Sequence, residues 1–85
     1  MKLFFSKRFQ KDYKKLPAQI QELTDKKLDY LLKDISHPSL RFKKVKRHSN
    51  VWEVSVTMNY RLVLSMQSNY YILLRVGAHD ILNRI

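Results

Sequence analysis

The sequence predicts an α+β domain in which an N-terminal strand and a helical hairpin pack on a twisted antiparallel β-sheet. Apolar residues recur at helical spacing up to residue 35, whereas from residue 51 onward they alternate with polar residues, as strands require. A single breaker, SHPS at residues 36–39, separates the two patterns. Because only the helices can cover the apolar face of the sheet, residues 1–85 should form one domain.

The first half of the chain predicts a strand followed by two helices. The segment KLFF at residues 2–5 has strand character, and Ser6 is placed to cap the first helix. Pro17 ends that helix or opens the next. The apolar residues that recur at helical spacing are Phe9, Tyr13 and Leu16 in the first helix and Ile20, Leu23, Leu28, Leu31 and Ile35 in the second.

The second half predicts strands that share one buried face. The basic segment RFKKVKR, residues 41–47, predicts one further strand beside them. The residues expected in the core are even-numbered: Trp52, Val54, Val56, Met58, Tyr60, Leu62, Leu64, Met66, Ile72, Leu74 and Val76.

Odd-numbered side chains are then the ones that the sheet offers to solvent or to a ligand. If the even-numbered residues of paired strands lie on the same face, Thr57 should lie opposite Arg61 and Met66 opposite Tyr70. In that register Arg61 lies opposite Arg75. Like charges directly opposite each other destabilise a sheet, so this pair indicates a site for an anion.

Gly77, the only glycine, precedes His79 by two residues at the end of the last predicted strand. We expect it either to adopt a positive φ or to let another segment approach closely. His79 then lies at the same end of the sheet as both arginines. Two guanidinium groups and one group that titrates near neutral pH suit phosphate chemistry.

The net charge of +10 comes from 17 Lys and Arg against seven Asp and Glu. It favours a nucleic acid as partner, then an acidic protein, and a membrane surface least. The chain has no cysteine, and its three histidines lack the spacing of a metal site, so no metal or other cofactor is expected. The start MKLFF is too short for the apolar core of a signal peptide, so a cytoplasmic protein is expected.

Several further residues have more than one interpretation. Glu53 suits either a general base or an ion pair with the basic strand, and the predicted register puts it about 13 Å from the row of Arg61 at about 3.3 Å per residue. The remaining basic residues form either a solvated surface or a grip on RNA phosphates. They are Lys11, Lys15, Lys43, Lys44, Lys46, Arg47 and His48.

Four stretches resemble the RelE/ParE toxins of bacterial toxin–antitoxin modules along nearly the full length: FSKRFQKDYKKLP, LLKDISHPSLRFKKVKR, VWEVSVTMNYRLVL and LLRVGAHD. The resemblance implies a helical hairpin on a twisted antiparallel sheet. It also implies one of two activities, since the RelE branch cuts mRNA on the translating ribosome and the ParE branch inhibits DNA gyrase. The ending RVGAHD is similar to RelE-branch nucleases that place a histidine after the last strand.

In that branch Arg61 matches the arginine that stabilises the scissile phosphate, and His79 matches a catalytic position. The expected activity is a metal-independent endoribonuclease, an mRNA interferase that inhibits translation, in which the 2′-hydroxyl attacks the adjacent phosphate. His79 would transfer protons, Arg75 would assist Arg61, and Glu53 is the alternative base. The resemblance also implies a cognate antitoxin in a hetero-oligomeric complex, and the charge of +10 suggests an acidic binding segment.

The sequence departs from the family pattern in two places. Glu53 and Ser55 stand where the best-known RelE pattern has two lysines, and no aromatic residue follows His79 to stack on a base. Tyr71 or Trp52 would have to hold the base instead. A gyrase inhibitor of the ParE type and a non-catalytic antitoxin-binding module remain the alternatives.

Overall fold

The computed structural model describes all 85 residues as a helical hairpin on a five-stranded sheet. The strands and helices, in chain order, are β1 (Lys2–Phe5), α1 (Lys7–Lys14), α2 (Ala18–Lys33), β2 (Lys43–Lys44), β3 (Trp52–Ser55), β4 (Tyr60–Gln67) and β5 (Tyr70–Ala78). Two short 3-10 turns complete the chain, at Pro38–Leu40 and His79–Asn83.

The predicted fold class is confirmed, with one refinement in strand direction. The sheet has the order β1-β5-β4-β3-β2, and the neighbours from β5 to β2 are antiparallel. β1 instead runs parallel to β5, so the sheet is mixed. No hairpin links these two strands, and the chain between them passes through both helices, so their relative direction is not fixed by a turn.

Both helices begin where the sequence predicts. The Phe9 N–H donates to Ser6 Oγ at 3.1 Å, which caps α1. Pro17 is the residue before α2. The apolar face of α2 differs from the prediction, because Thr24 is buried whereas Leu23 is 37% exposed. Leu28 and Leu31 are buried as predicted, so the difference at this point is that α2 presents Thr24 rather than Leu23 to the core.

The main core lies between the hairpin and the inner face of the sheet. It contains Phe9, Leu16, Leu28 and Leu31 of the helical region, Leu40, and the strand residues Val54, Val56, Leu62, Leu64, Tyr71, Leu73 and Val76. The even-numbered residues of β3 and β4 are thus buried or half-buried as predicted. The prediction for Met58 is wrong, because this residue lies in the loop between β3 and β4 and is 87% exposed. In β5 the parity changes, and Tyr71 and Leu73 are buried in place of Ile72 and Leu74.

A β-bulge causes this change of parity. Val63 lies opposite Arg75, but the next residue, Leu64, lies opposite Leu73, so β5 contains one extra residue at this point. The bulge turns the Leu74 side chain away from the main core, and Leu74 packs in a second cluster. A one-residue insertion reverses which face the side chains beyond it point to. The assignment of even-numbered residues to the buried face was therefore wrong for part of β5.

Both predicted hairpin registers are also wrong. Ser55, not Thr57, lies opposite Arg61, and Met66 lies opposite Tyr71 rather than Tyr70. The turn between β4 and β5 has two residues, Ser68 and Asn69, and Ser68 has a φ of 52°. The assumption of an odd-length loop therefore failed for this hairpin, whereas five residues separate Ser55 from Arg61 and the loop there is longer than predicted.

The C-terminal turn covers part of the outer face of the sheet. Ile81 packs there against Val51 and Val63, and Val63 has no exposed surface. The sequence had placed Val63 among the side chains offered to solvent, and this expectation is corrected. Because His79 is the first residue of the turn, the packing of Ile81 also fixes where the backbone of His79 lies.

Candidate active site

Arg61 lies at the start of β4 and holds the loop that connects β3 to β4. Its Nη1 donates to the carbonyl oxygens of Thr57 at 2.6 Å, Met58 at 2.9 Å and Tyr60 at 3.1 Å. No hydrogen bond within the protein engages Nη2. These hydrogen bonds hold the guanidinium in place. Because the side chain is 17% exposed, Nη2 remains able to donate to a ligand.

Glu53 is buried beside this arginine. Its Oε1 lies 3.4 Å from Arg61 Nε, and the residue is only 7% exposed. The predicted separation of about 13 Å was wrong, because Ser55 rather than Thr57 opposes Arg61 and Glu53 is therefore a diagonal neighbour. Glu53 pairs with Arg61 and not with the basic strand, although Lys43 is its backbone neighbour. An enclosed, neutralised carboxylate is poorly placed to act as a general base.

Arg75 forms a different ion pair, at the edge of β5. Its Nε lies 2.7 Å from Asp12 Oδ2 and its Nη2 lies 3.1 Å from Asp12 Oδ1, a bidentate arrangement. Its Nη1 donates to the Arg84 carbonyl oxygen at 3.2 Å. The hydrogen bonds from Asp12 raise the pKa of Arg75 above its ordinary value, against the opposing effect of burial. Each nitrogen of this guanidinium therefore has a partner within the protein.

The predicted pairing of Arg61 with Arg75 is wrong. The bulge places Gly77 opposite Arg61 and Val63 opposite Arg75. Each arginine has its own carboxylate, so no like-charge repulsion between them needs a ligand to explain it. The expected pocket of two guanidinium groups and an imidazole is not formed, because Arg75 extends to α1 while Arg61 pairs toward β3.

Asp12 is the residue that sequence reasoning missed. β1 ends at Phe5, and beyond that point the edge of β5 is satisfied by side chains of the α1 region. Ser6 Oγ donates to the Leu74 carbonyl oxygen at 3.2 Å, and the Val76 N–H donates to Asp12 Oδ2 at 3.2 Å. The available signal was that Asp12 is the only acidic residue in the basic stretch from Ser6 to Lys15.

His79 is exposed at the end of β5. Its N–H donates to the Asn59 carbonyl oxygen at 2.8 Å, which extends the β4–β5 ladder by one bond. Gly77 lies directly opposite Arg61, so His79 is two residues beyond the partner of Arg61. Diagonal neighbours of this kind are about 7–8 Å apart. The strand register thus makes the exposed His79 and the fixed Arg61 diagonal neighbours.

Gly77 does not act as predicted. It has no positive φ, and the residues with positive φ are instead Arg41 and Ser68. A Cβ at Gly77 would lie 3.5 Å from Ile81 Cδ1, which is ordinary van der Waals contact. The segment that approaches Gly77 is therefore the C-terminal turn, at a distance that leaves room for a methyl group.

Beyond Lys43, whose backbone pairs with that of Glu53, the basic residues of the β2 region extend away from this site. Lys43 and Lys44 are exposed on the edge strand β2, and Lys46, Arg47 and His48 follow in the next loop. Asn50 anchors that loop to the far end of β4, since Asn50 Nδ2 donates to the Met66 carbonyl oxygen at 2.7 Å. Met66 is five residues along the strand from Arg61, or about 17 Å at about 3.4 Å per residue.

Lys11 and Lys15 are exposed in the α1 region, beside the other edge of the sheet. Three strand spacings of about 4.8 Å separate β5 from β2, so at least about 14 Å lies between the two groups of cations. The structure therefore spreads the predicted RNA-binding residues over two edges. It does not gather them around His79.

Neither residue suggested for stacking on a base is free. Tyr71 is 6% exposed in the main core, and Trp52 stacks on Phe42 with ring centroids 5.1 Å apart. The aromatic residues with exposed rings are Phe4, Phe5 and Tyr70. No three His, Asp or Glu side chains come together in a way that could hold a metal ion. Neither helix could span a bilayer, and the longer of them has 16 residues.

Solved structures with this architecture include toxins of toxin–antitoxin systems. The chain is similar to a YoeB/ParE toxin from Agrobacterium tumefaciens, with a TM-score of 0.79, 15% identity, and 93% of this chain and 99% of that chain covered. It is similar to RelE in a RelB–RelE antitoxin–toxin complex from Methanococcus jannaschii, with a TM-score of 0.78, 23% identity and 95% of each chain covered. YafQ from E. coli gives a TM-score of 0.67 at 19% identity, with 94% of each chain covered.

At these identities the likeness establishes the fold. A sequence model described as the ParE toxin of the type II toxin–antitoxin system parDE matches residues 3–82. The chain therefore belongs to this family, and it is a toxin of the RelE/ParE/YoeB type. The comparison with curated protein sequences found no match.

Proposed function

We propose that this toxin is a metal-independent endoribonuclease that acts in the cytoplasm, cleaves mRNA on the ribosome and so inhibits translation. The observation that carries the proposal is the exposed His79 imidazole on the diagonal from Arg61, whose guanidinium is fixed by the loop carbonyls. A proton-transfer group next to a fixed positive charge is what cleavage of a phosphodiester by its own 2′-hydroxyl requires.

In the proposed reaction the His79 imidazole accepts the proton of the 2′-hydroxyl as the oxygen attacks the adjacent phosphorus. Arg61 Nη2 donates to a non-bridging oxygen, on which negative charge increases in the transition state. The bond from phosphorus to the 5′-oxygen breaks, and that oxygen takes a proton from solvent. The products are a 2′,3′-cyclic phosphate and a 5′-hydroxyl.

Because Glu53 is buried and paired with Arg61, His79 is the one side chain beside Arg61 that is free to transfer protons in this scheme. A positioned acid or base typically contributes about 10²–10⁴-fold, so a protein that supplies only one should cleave free RNA slowly. The ribosome can contribute by holding the message in the geometry that in-line attack needs. Slow cleavage of free RNA and fast cleavage on the ribosome are therefore expected together.

The separated basic edges suit a large RNA surface. Lys43, Lys44, Lys46 and Arg47 lie along one edge, whereas Lys11 lies beside the other. They would contact ribosomal RNA phosphates without reading sequence. In this proposal Arg75 and Glu53 hold neighbouring backbone and side chains in place and do not contact the substrate.

A nuclease of this kind requires a cognate antitoxin, which we place in a hetero-oligomeric complex with it. The net charge of +10 supports an acidic partner segment. Relatives of known structure support the same pairing, since RelE from Methanococcus jannaschii was solved in a complex with RelB.

Inhibition of DNA gyrase is the second candidate, because the matching family model is described as a ParE toxin. Under this alternative His79 has no part in toxicity. The inhibited gyrase would leave relaxed plasmids or DNA breaks, while messages would stay intact.

Induced expression in a bacterium, with mRNA 5′ ends mapped by primer extension, separates the candidates. We expect new 5′ ends with the wild type and with His37→Ala, the control in which a histidine of the loop after α2 is removed. His79→Ala should lose them, and Arg61→Lys should retain them weakly, because lysine keeps the charge without the fork of donors. New ends that persist undiminished in His79→Ala would remove the site assignment, and growth arrest without new ends would favour gyrase.

A further inference from the structure

The loop between β3 and β4 exposes an apolar side chain beside the candidate active site. Met58 in this loop is 87% exposed, and the next most exposed large apolar residue is Phe4 at 55%. Single exposed apolar residues are common on protein surfaces, so exposure alone does not indicate a function. The alternation in VWEVSVTM predicted a core position for Met58, however, and a position at which a local pattern fails is often a functional one.

The backbone around Met58 is held by hydrogen bonds on both sides. The Thr57 hydroxyl accepts from the N–H groups of Asn59 at 3.1 Å and Tyr60 at 3.2 Å. Arg61 Nη1 donates to the carbonyl oxygens of Thr57 at 2.6 Å and Met58 at 2.9 Å. The side chain of Met58 therefore extends into solvent from a loop that is fixed in place, not from a loosely held one.

The same bonds place Met58 next to both residues that are proposed to act on the phosphate. Its own carbonyl oxygen is bonded to Arg61, and the carbonyl oxygen of the next residue, Asn59, accepts from the His79 N–H at 2.8 Å. Consecutive Cα atoms are about 3.8 Å apart, so Met58 directly adjoins the residue that anchors His79. The exposed Tyr70 is about 30 Å away from His79, because the nine residues of β5 separate them at about 3.4 Å each.

A nucleotide at this site presents a charged phosphate and a flat, largely apolar base. Arg61 and His79 engage the phosphate and the 2′-hydroxyl, but in-line attack also requires that the rest of the nucleotide be held in one orientation. Tyr71 is buried and Trp52 is stacked on another ring, so neither is free to contact the base. A methionine side chain is flexible and polarisable, and it packs favourably against aromatic rings.

We propose that Met58 packs against the base of a nucleotide next to the scissile phosphate and so orients that nucleotide for attack. The inference deepens the proposed nuclease function and rests on it. An apolar contact has no donor or acceptor that reads base edges, so Met58 accepts all four bases and favours purines only through their larger rings. Met58 transfers no proton, and it therefore affects substrate binding and not the pH dependence of cleavage.

The test measures cleavage of a ribosome-bound message by the purified toxin. Met58→Ser should lower kcat/KM by about tenfold, mainly through a higher KM, because the contact with the base exists before and during the reaction. Met58→Leu should stay within about twofold of the wild type, since it keeps an apolar side chain of similar volume. The pH profile should be unchanged in both variants. The control is Leu32→Ser, which removes an exposed apolar side chain from α2 and should leave cleavage unchanged.

Two further messages separate a contact with the base from a structural role of the loop. One carries an abasic nucleotide on the 5′ side of the mapped cleavage position, and the other carries it on the 3′ side. The difference between the wild type and Met58→Ser should disappear with one of them, because no base is then left for Met58 to contact.

The inference is wrong if Met58→Ser cuts the intact message as well as the wild type does, or if its defect persists in full with both abasic messages. Either result leaves the nuclease proposal standing. A wild-type toxin that cuts no message is a different result, which refutes the nuclease proposal itself and the inference with it.

Discussion

The ion pair between Asp12 and Arg75 should be among the largest single contributions to the stability of this domain. The Asp12 carboxylate accepts from two guanidinium nitrogens and from the Val76 N–H, and each side chain of the pair is 14% exposed. Asp12→Asn keeps an acceptor oxygen for the Val76 N–H and Arg75 Nε but removes the negative charge and the acceptor of Arg75 Nη2. Removal of one partner of a buried pair costs about 3–5 kcal/mol, and the remaining exposure suggests the lower end, about 3 kcal/mol.

Asp12→Ala should cost about 1–3 kcal/mol more, because it also leaves the buried Val76 N–H without a partner. A domain of this length has a total stability of about 4–13 kcal/mol. Asp12→Ala should therefore lose a large share of it. The double variant with Asp12→Asn and Arg75→Met should recover much of the loss, because neither charge is then left uncompensated.

Urea denaturation, followed by the fluorescence of the single tryptophan Trp52, measures these free energies of unfolding. The matched control is Asp29→Asn, which removes the acid of an exposed pair with Lys33 and should cost less than about 0.5 kcal/mol. If Asp12→Asn costs no more than Asp29→Asn, or if the double variant is as unstable as Asp12→Asn alone, the structural assignment of Arg75 is wrong.

Three further predictions concern stability and ionisation. Thr24→Val should stabilise the protein by about 1 kcal/mol in urea denaturation, because the fully buried Thr24 hydroxyl has no partner, and a loss of stability would contradict this. Gly77→Ala should change the midpoint little or raise stability by up to about 1 kcal/mol, since its Cβ fits beside Ile81, whereas a loss above about 1.5 kcal/mol would show that the site is too tight. The hydrogen bond from the Ser36 hydroxyl lowers the pKa of Asp34. The stability that this bond contributes is therefore present at pH values above the ordinary pKa of a carboxyl group, and it is lost as the pH falls through the lowered pKa. Ser36→Ala should raise the pKa of Asp34 in an NMR titration, and an unchanged titration would contradict the assignment.

The elements of this fold could be predicted because each carries a local signal. The Ser6 cap, the helical spacing of Phe9, Tyr13 and Leu16, and the alternation in VWEVSVTM depend on neighbours in sequence, and each corresponds to an observed element. The parallel pairing of β1 with β5 joins residues that are far apart in sequence. No local pattern specifies that direction.

The site was less predictable, because it depends on register. One extra residue at the bulge, together with turns of unexpected length, moved Arg75 away from Arg61 and brought Glu53 next to it. Asp12 was overlooked because its partner lies 63 residues away. The position of His79 at the end of β5 could be inferred, since it follows the last strand directly and strand ends are set by the alternating pattern.

The most direct test of the account is cleavage of a ribosome-bound message that carries a single 2′-deoxynucleotide at the mapped cleavage position. Attack by the 2′-hydroxyl requires that oxygen, so the account predicts that the purified toxin cuts the all-ribose message to give a 2′,3′-cyclic phosphate and leaves the deoxy-substituted message intact. Cleavage of both messages at the same position, or fragments that end in a 5′-phosphate, would contradict it.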